Sequence, residues 1–268
     1  MQNHATGDGI DARALVAAGA RLAAGVQIGP FAVVEADTAL GAGTQVRAHA
    51  VIKRFSTLGE SNTVHEGAIL GGEPQDIGFS GAESRLEIGD RNRIREGVTI
   101  HRAAAPDGVT IVGSDCFLMA YAHIAHECHV GDRVIMANNV ALAGHVHVGD
   151  QAFLSGGVVV HQFCHVGRLA MLGGNAKIVQ DCLPFVITDG VPARPRGLNV
   201  VGLRRAGVKA SQIRTLREGY RLLVRGSLAR EAALEGMAKL QDPLVDEMIA
   251  FVRASRRGIG RARGSGED

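Results

Sequence analysis

Histidines that could act together are concentrated in the middle of the chain. Gly144 lies 18 residues after His126, and Gln162 lies 18 residues after Gly144. Imidazole is the usual general base near neutral pH, and a glycine N–H can donate to an oxyanion because a ligand can approach it closely. Glu127 could orient the His126 ring. Three more histidines flank this column: His123, His145 and His161.

The 18-residue spacing follows from a hexapeptide repeat. Val, Ile or Leu recurs at every sixth position from Val16 to Leu70, and again from Val112 to Ile178 with one Met in the run. The register breaks near Gly71 and again after His101. A period of six differs from the roughly 3.6-residue period of an α-helix, and it is typical of a solenoid in which three hexads close one coil. We therefore predict a mainly β fold, a parallel β-helix in which residues 18 apart stack on one face.

Within each hexad the position four residues after the aliphatic residue also points inward, and small side chains occupy it. All four cysteines of the chain fall at this position, and no C-x-x-C pair occurs among them. We expect buried free thiols that fill space. They are Cys116, Cys128, Cys164 and Cys182.

The hexads stop near Pro184, and helical signals follow. Ser211 is the predicted cap of a helix with apolar positions at helical spacing, and Asp242-Pro243 is a second helix start. The predicted organisation is a β-helix domain over residues 1–190, a helical domain over 191–258 and a disordered tail over 259–268.

Bulk properties exclude several classes of protein. The net charge is +2, which is too balanced for a nucleic-acid-binding domain. No apolar run approaches the ~18 residues needed to cross a membrane, so we expect no stable membrane insertion. The first residues also lack the features of a signal peptide, and with the free cysteines this favours a cytoplasmic protein.

A second histidine column, formed by His129, His147 and His165, also has 18-residue spacing. A stack of imidazoles could bind zinc. Side chains stacked along one face project in parallel, however, and do not converge on one ion. We interpret the column as an outward structural ladder.

Several segments resemble the UDP-N-acetylglucosamine O-acyltransferase family. They are GEPQD, RLEIGDRNRIREGVTIHR, HIAHEC, NNVALAGHV, VHQF and GLNVVGLRR. The resemblance runs from about Ile10 to Arg257. It implies a left-handed coil and a homotrimer with active sites between adjacent prisms. It also implies transfer of an (R)-3-hydroxyacyl chain from acyl carrier protein to the glucosamine 3-position, the first step of lipid A biosynthesis, with no metal or other cofactor.

The same resemblance assigns roles to individual residues. His126 would be the general base and the Gly144 N–H the oxyanion donor. Gly174 would measure the acyl chain, and a glycine there favours a longer chain. The remaining residues would bind substrate: Gln75 and Asp76 the glucosamine, His123, His145, His161 and Gln162 the sugar and pantetheine cleft, and Asn199 and Arg205 the nucleotide and its phosphates.

The chain departs from the family pattern at Gly78, where the family has Lys, and at Val201 and Ala206, where it has an acidic and a basic residue. All three positions face the acceptor. The sequence therefore leaves open a 3-amino sugar nucleotide or another UDP-sugar as acceptor, with N-acyl transfer in the first case. Two other classes also remain: a zinc-dependent γ-type carbonic anhydrase, and a scaffold trimer without catalytic activity.

Overall fold

A triangular prism of short parallel strands makes up most of the molecule. The computed structural model describes residues 9–226 and 228–260. Successive strands join three sheets in turn, so that each coil adds one strand to every face of the prism. This is the parallel β-helix expected from the hexads, with the left-handed coil that the family resemblance implies.

Each sheet forms one face of the prism. The first sheet contains β1 Leu15–Val16, β4 Val33–Val34, β7 Val51–Ile52, β10 Ile69–Gly72, β13 Thr99–His101, β16 His123–Ile124, β19 Ala141–Leu142, β22 Val159–Val160 and β25 Lys177–Ile178. The second contains β2 Arg21–Leu22, β5 Ala39–Leu40, β8 Ser56–Leu58, β11 Arg85–Ile88, β14 Val109–Val112, β17 His129–Val130, β20 His147–Val148 and β23 His165–Val166. The third contains β3 Gln27–Ile28, β6 Gln45–Val46, β9 Thr63–Val64, β12 Arg93–Ile94, β15 Phe117–Leu118, β18 Ile135–Met136, β21 Phe153–Leu154, β24 Met171–Leu172, β26 Val186–Gly190 and β27 Ala193–Leu198.

The strand register confirms the 18-residue spacing and both breaks in it. His129 pairs with His147, and His147 pairs with His165. Across the first break Ile69 pairs with Thr99, 30 residues later, and across the second Thr99 pairs with His123, 24 residues later. Two insertions, over residues 73–84 and 102–108, leave the prism at these breaks.

Buried Arg102 ties the two insertions together. Its Nη1 donates to the Ala82 carbonyl oxygen at 2.9 Å and to Ser84 Oγ at 3.2 Å. The guanidinium also lies 5.1 Å from the ring centroid of Phe79 in the first insertion. A buried charge is tolerated only when it is hydrogen-bonded, so these contacts hold both loops against the prism.

Inward-facing aliphatic residues of the strands fill the prism. The four cysteines are buried and free, as predicted. Two asparagines also occupy inward positions, which the hydrophobic pattern did not indicate. Asn62 Oδ1 accepts from the Asn92 N–H at 2.9 Å, and Asn92 Oδ1 accepts from the Cys116 N–H at 2.7 Å. Asn92 Nδ2 donates to the Gly113 carbonyl oxygen at 2.9 Å. This internal amide ladder joins three successive coils.

The C-terminal part begins with the antiparallel hairpin β26–β27, which extends the third sheet. The helices α1 Val200–Arg205, α2 Ala210–Tyr220, α3 Arg230–Ala238 and α4 Pro243–Ala254 follow, with a π-helical turn Arg221–Arg225 after α2. They share a second core, and Arg168 joins this part to the prism through Glu247 of α4 at 2.7 Å. Within the described residues, no helix combines the length and hydropathy required to cross a membrane.

Two details of the predicted C-terminal part are corrected. The N-cap of α2 is Lys209, so Ser211 lies inside the helix rather than at its cap. Asp242 does cap α4, accepting from the Leu244 N–H at 2.9 Å. Ile259 is buried and its backbone pairs with Asp181, so the predicted tail does not begin at residue 259. Residues 261–268 of that tail lie outside the described residues.

The second histidine column lies on the outer face of the second sheet. The ring centroids of His129 and His147 are 4.7 Å apart, and those of His147 and His165 are 4.6 Å apart. Burial, together with the neighbouring His165 and His129 rings, lowers the pKa of His147 from the usual 6.5 to about 4. His147 is therefore neutral at pH 7.

The amide ladder predicts a specific loss of stability. Asn92→Ala leaves the Cys116 N–H and the Gly113 carbonyl without their partners in a buried position. We expect a loss of about 2 kcal/mol or more, since each unsatisfied buried group costs about 1–3 kcal/mol. In thermal melting this corresponds to a Tm lower by about 4–8 °C. The matched control Asn138→Ala, at an exposed turn, should melt within about 1 °C of the wild type, and equal melting of both variants would contradict the ladder.

The pKa of His147 predicts a pH dependence of stability. The unfolded chain takes up a proton at His147 near pH 6.5, whereas the folded chain does so only near pH 4. The contribution of this group to folding is therefore complete above pH 6.5 and is lost as the pH falls to 4. His147→Gln should flatten the slope of unfolding free energy over this window, measured by urea denaturation at several pH values. An unchanged slope would show that His147 titrates normally in the folded chain.

Candidate active site

His126 lies at the corner between the first and second sheets, in the turn between β16 and β17. Its side chain is 12% exposed. Its Nδ1 is hydrogen-bonded to Glu127 Oε2. An ionised carboxylate only accepts hydrogen bonds, so Nδ1 carries the proton and Nε2 keeps its lone pair. The ring is thus oriented as a base with Nε2 as the accepting atom.

Glu127 is fixed by the second insertion. Its Oε1 accepts from the Ala104 N–H at 2.6 Å and the Ala105 N–H at 2.8 Å, while Oε2 faces His126. Burial alone would raise the pKa of Glu127, but the Ala105 N–H, the His126 ring and the Ala104 N–H together outweigh burial and hold this pKa below its usual value. Glu127 is therefore ionised at neutral pH.

Gly144 lies directly against the His126 ring on the next coil. A Cβ built on Gly144 would be 2.5 Å from His126 Cε1 and 2.7 Å from Nε2. No residue other than glycine fits there without moving the imidazole. Among the described residues no group accepts a hydrogen bond from the Gly144 N–H, so this donor is available to a ligand beside Nε2.

His145 completes the corner. Its ring stacks on Phe163 with centroids 4.5 Å apart and meets the His126 ring edge-on at 5.4 Å. Its Nε2 is 3.8 Å from Glu127 Oε2. Glu127, His145 and Phe163 are successive corner residues with φ of 53°, 61° and 64°. This left-handed backbone stacks their side chains in one column.

His123 lies on the first sheet beside this corner. Its Nδ1 is 2.7 Å from Thr99 Oγ1, and its ring meets the ring of His101 edge-on at 4.9 Å. Burial, and secondarily the neighbouring His126, lowers the pKa of His123. Burial also lowers the pKa of His101 to about 4, so both rings are neutral at pH 7. His101 does not stand out in the sequence, because the second insertion removes it from the 18-residue register.

His161 and Gln162 are on the coil above Gly144 and are exposed. His161 Nδ1 is 3.1 Å from the Gln162 carbonyl oxygen, so it donates to that oxygen. Gly174 lies at the opposite edge of the first sheet, where an added Cβ would meet only the Gly156 carbonyl oxygen, at 3.7 Å. The outer face of the first sheet therefore connects the His126 corner with an open position at Gly174.

Asn199 and Arg205 lie elsewhere, on the outer side of the third sheet. They line a cavity of about 490 Å³ whose walls include Val201 and Ala206. Asn199 is buried and caps α1, with Oδ1 accepting from the Gly202 N–H and Nδ2 donating to the Leu169 carbonyl oxygen, both at 3.0 Å. Because the third sheet is the face opposite the His126 corner, one chain does not bring these residues to the base.

Gln75 and Asp76 are exposed on the first insertion. Asp76 Oδ1 accepts from the Gly78 N–H at 2.8 Å, which closes a turn at the tip. A Cβ at Gly78 would lie 3.3 Å from this oxygen, so the glycine favours the tight turn. Within the described chain, no hydrogen bond connects Gln75 or Asp76 to His126.

Among the described residues, two groups of side chains have donor atoms close enough to hold a metal ion. One is His126, Glu127 and His145, and the other is His65, Glu66 and Glu96, with each group's donor atoms within 4.8 Å of one another. Glu96 is already paired with Arg95 at 2.7 Å. The histidine ladder of the second sheet is not among these two groups.

Comparisons with known proteins identify the family. The family model described as UDP N-acetylglucosamine O-acyltransferase, domain 2, matches residues 181–260, and the bacterial transferase hexapeptide model matches residues 110–144. The chain is 50% identical over 255 residues to the acyl-[acyl-carrier-protein]–UDP-N-acetylglucosamine O-acyltransferase of Paraburkholderia xenovorans, covering 92% of this chain and 97% of that protein. The Paraburkholderia phytofirmans protein of the same name is 51% identical with the same coverage.

Solved structures give the same result. The UDP-N-acetylglucosamine acyltransferase of Francisella novicida superposes with a TM-score of 0.92 at 36% identity, covering 96% of this chain and 95% of that one. The Moraxella catarrhalis enzyme also superposes with a TM-score of 0.92, at 39% identity, covering 94% of this chain and all of that one. With half of its residues identical to curated members over nearly its whole length, the chain belongs to the UDP-N-acetylglucosamine O-acyltransferase family.

Proposed function

We propose that this protein transfers an (R)-3-hydroxyacyl chain from acyl carrier protein to the 3-hydroxyl of UDP-N-acetylglucosamine, the first step of lipid A biosynthesis, in the cytoplasm. The observation that carries the proposal is the His126 corner. There an oriented imidazole nitrogen and a free backbone N–H lie side by side on adjacent coils. Relatives that carry the name of this reaction support the choice of substrates.

The reaction uses the two groups of this corner in sequence. His126 Nε2 takes the proton of the sugar hydroxyl as its oxygen attacks the thioester carbonyl. The carbonyl oxygen becomes an oxyanion and accepts a hydrogen bond from the Gly144 N–H. When this intermediate collapses, the carbon–sulfur bond breaks and His126 returns its proton to the leaving thiolate. Glu127 keeps the ring in the required tautomer and stabilises its protonated form.

The acceptor and donor sites require more than one chain. Asn199, Arg205 and the cavity beside them are on the face opposite His126. A ring of three copies with closed cyclic symmetry would place the third sheet of one prism against the His126 corner of the next. We infer a homotrimer in which Arg205 of the neighbouring copy binds the nucleotide phosphates, and the loop carrying Gln75 and Asp76 contacts the glucosamine.

The acyl chain would run along the first sheet from His126 toward Gly174. His123 and His161 would line its path near the thioester, with Gln162 beside them. Val159 is exposed on this face and offers an apolar surface. Because an added Cβ at Gly174 meets no close neighbour, the path is open there, and this favours a longer acyl chain.

The 3-amino analogue of UDP-N-acetylglucosamine is the one alternative acceptor. Exposed Val201 and Ala206 line the cavity where the family pattern has charged residues. An assay with hydroxyacyl carrier protein against UDP-N-acetylglucosamine and its 3-amino analogue separates O-acyl from N-acyl transfer. We expect product with UDP-N-acetylglucosamine. If only the 3-amino analogue gives product, that sugar nucleotide is the acceptor in place of UDP-N-acetylglucosamine. If neither sugar nucleotide gives product, the proposed acyl transfer is wrong.

The proposed base predicts the effect of His126→Ala. Removing the imidazole should lower kcat by at least ~100-fold, the usual contribution of a positioned base. The fold should persist because His126 lies at a corner outside the hydrophobic core. The matched control is His49→Asn, at an exposed corner remote in sequence from the site, where Asn tolerates the left-handed backbone. Equal steady-state rates for the wild type and His126→Ala would show that another group is the base.

The close approach at Gly144 predicts a loss of activity without loss of fold. In Gly144→Ala the new methyl group displaces the His126 ring, and a displacement of about 1 Å can cost ~100-fold in rate. The substrate KM should change much less than kcat. Gly197→Ala, where an added Cβ meets no atom within 4 Å, is the control. Normal kcat in Gly144→Ala would exclude the proposed oxyanion position.

A further inference from the structure

We propose that the His126 corner is also a binding site for a divalent transition-metal ion such as Zn²⁺, and that the bound ion inhibits the protein. The ligands are His126 Nδ1, Glu127 Oε2 and His145 Nε2. Two imidazoles and one carboxylate form a donor set that zinc accepts. The donor atoms of these three residues lie within 4.8 Å of one another.

The distances suit a tetrahedral ion after a small adjustment. Ligand atoms about 2.1 Å from a tetrahedral zinc lie roughly 3.4 Å apart. Glu127 Oε2 and His145 Nε2 are 3.8 Å apart, so this pair has to close by only a few tenths of an ångström. His126 Nδ1 donates its proton to Glu127 Oε2, and these two atoms must separate to admit the ion. The ion takes the place of the proton at Nδ1, and the neutral ring carries its one proton on Nε2 instead.

The ligands are held in place by a surrounding shell. The Ala104 and Ala105 N–H groups fix the Glu127 carboxylate through its other oxygen. Phe163 fixes the ring of His145 by stacking. Such outer contacts orient metal ligands and raise affinity. The fourth ligand position would be left to water.

The other two candidate groups are poorer sites. In the group of His65, Glu66 and Glu96, the Arg95 guanidinium already neutralises one carboxylate. In the ladder of the second sheet, His129 and His165 each neighbour His147 on opposite sides, so the three rings do not converge on one point. The His126 corner therefore has the best donor geometry in the described chain.

Inhibition follows from which atoms the ion would occupy. With the ion on Nδ1, the ring proton lies on Nε2, which then has no lone pair to accept the proton of the sugar hydroxyl. The binding half of the proposal does not depend on the proposed function. The inhibitory half does, since it assumes that His126 acts as the base.

The binding test uses full-length protein without a polyhistidine tag, stripped with EDTA and titrated with Zn²⁺ by isothermal titration calorimetry. Metal analysis after gel filtration should give one zinc per chain. Glu127→Gln keeps the side-chain shape and His145→Asn tolerates the left-handed backbone, so both should fold, as circular dichroism will check. Each should weaken zinc binding at least ~10-fold, since even outer-shell changes cost 10–100-fold.

Two matched variants locate the ion. His147→Gln removes the centre of the ladder, and His65→Gln removes the histidine of the other group. Both should bind zinc as the wild type does. The site would be wrong if the wild type bound no stoichiometric zinc. It would also be wrong if His147→Gln or His65→Gln lost zinc binding while His145→Asn kept it.

The activity test is separate. Zinc should inhibit acyl transfer by the wild type at the concentrations where it binds, and a chelator should restore the rate fully. Binding without inhibition would reject the inhibitory role. If the protein shows no acyl transfer even after chelation, the proposed function is wrong. The zinc titration still tests the metal site in that case.

Discussion

The closure of each coil by three hexads is the constraint on which the rest of the structure depends. Backbone hydrogen bonds between coils require residues 18 apart to stack, as His129, His147 and His165 do. The same requirement places Gly144 against His126, although neither residue contributes to the hydrophobic core. Non-glycine corner residues adopt a left-handed backbone that is unfavourable for them by about 1 kcal/mol or more each. The inter-coil hydrogen bonds offset this cost, and in return the corners present side chains in straight columns.

The regular part of the molecule could be predicted from sequence because its period is set by local residue types. Aliphatic residues at every sixth position determine the strands, and the 18-residue spacing then determines the neighbours of His126. The two insertions interrupt the 18-residue spacing, so neighbours across them cannot be read from the repeat. The ring of His101 contacts the ring of His123, but the residues inserted after His101 lengthen the spacing between paired residues to 24, as in the pair Thr99 and His123. The hydrogen bonds from Ala104 and Ala105 to Glu127 involve only backbone groups, so no residue type indicates them.

The buried asparagines could not be predicted, because inside the prism a polar side chain can occupy the place of an apolar one of similar size. Asn62 and Asn92 occupy inward positions where the pattern expects small filler, and they are tolerated because backbone groups of adjacent coils satisfy their amides. The cap of α2 was assigned to Ser211 from residue preference alone. The helix instead starts at Ala210, and its residues Ile213 and Leu216 lie in the second core. The capping preference contributes about 1 kcal/mol, which is less than the free energy gained by burying the side chains of Ile213 and Leu216. This burial therefore determines where the helix lies.

A preorganised base and a metal site have similar physical requirements. In the proposed reaction, His126 presents one nitrogen as a lone pair while the other is held by an ionised carboxylate. The same requirement places an anionic oxygen and ring nitrogens close together in a partly buried corner. Hydrogen bonds that fix Glu127 for one purpose also fix it as a ligand. What distinguishes the two uses is the single proton between Nδ1 and the carboxylate. Acyl transfer needs that proton in place, whereas a metal ion competes for its position.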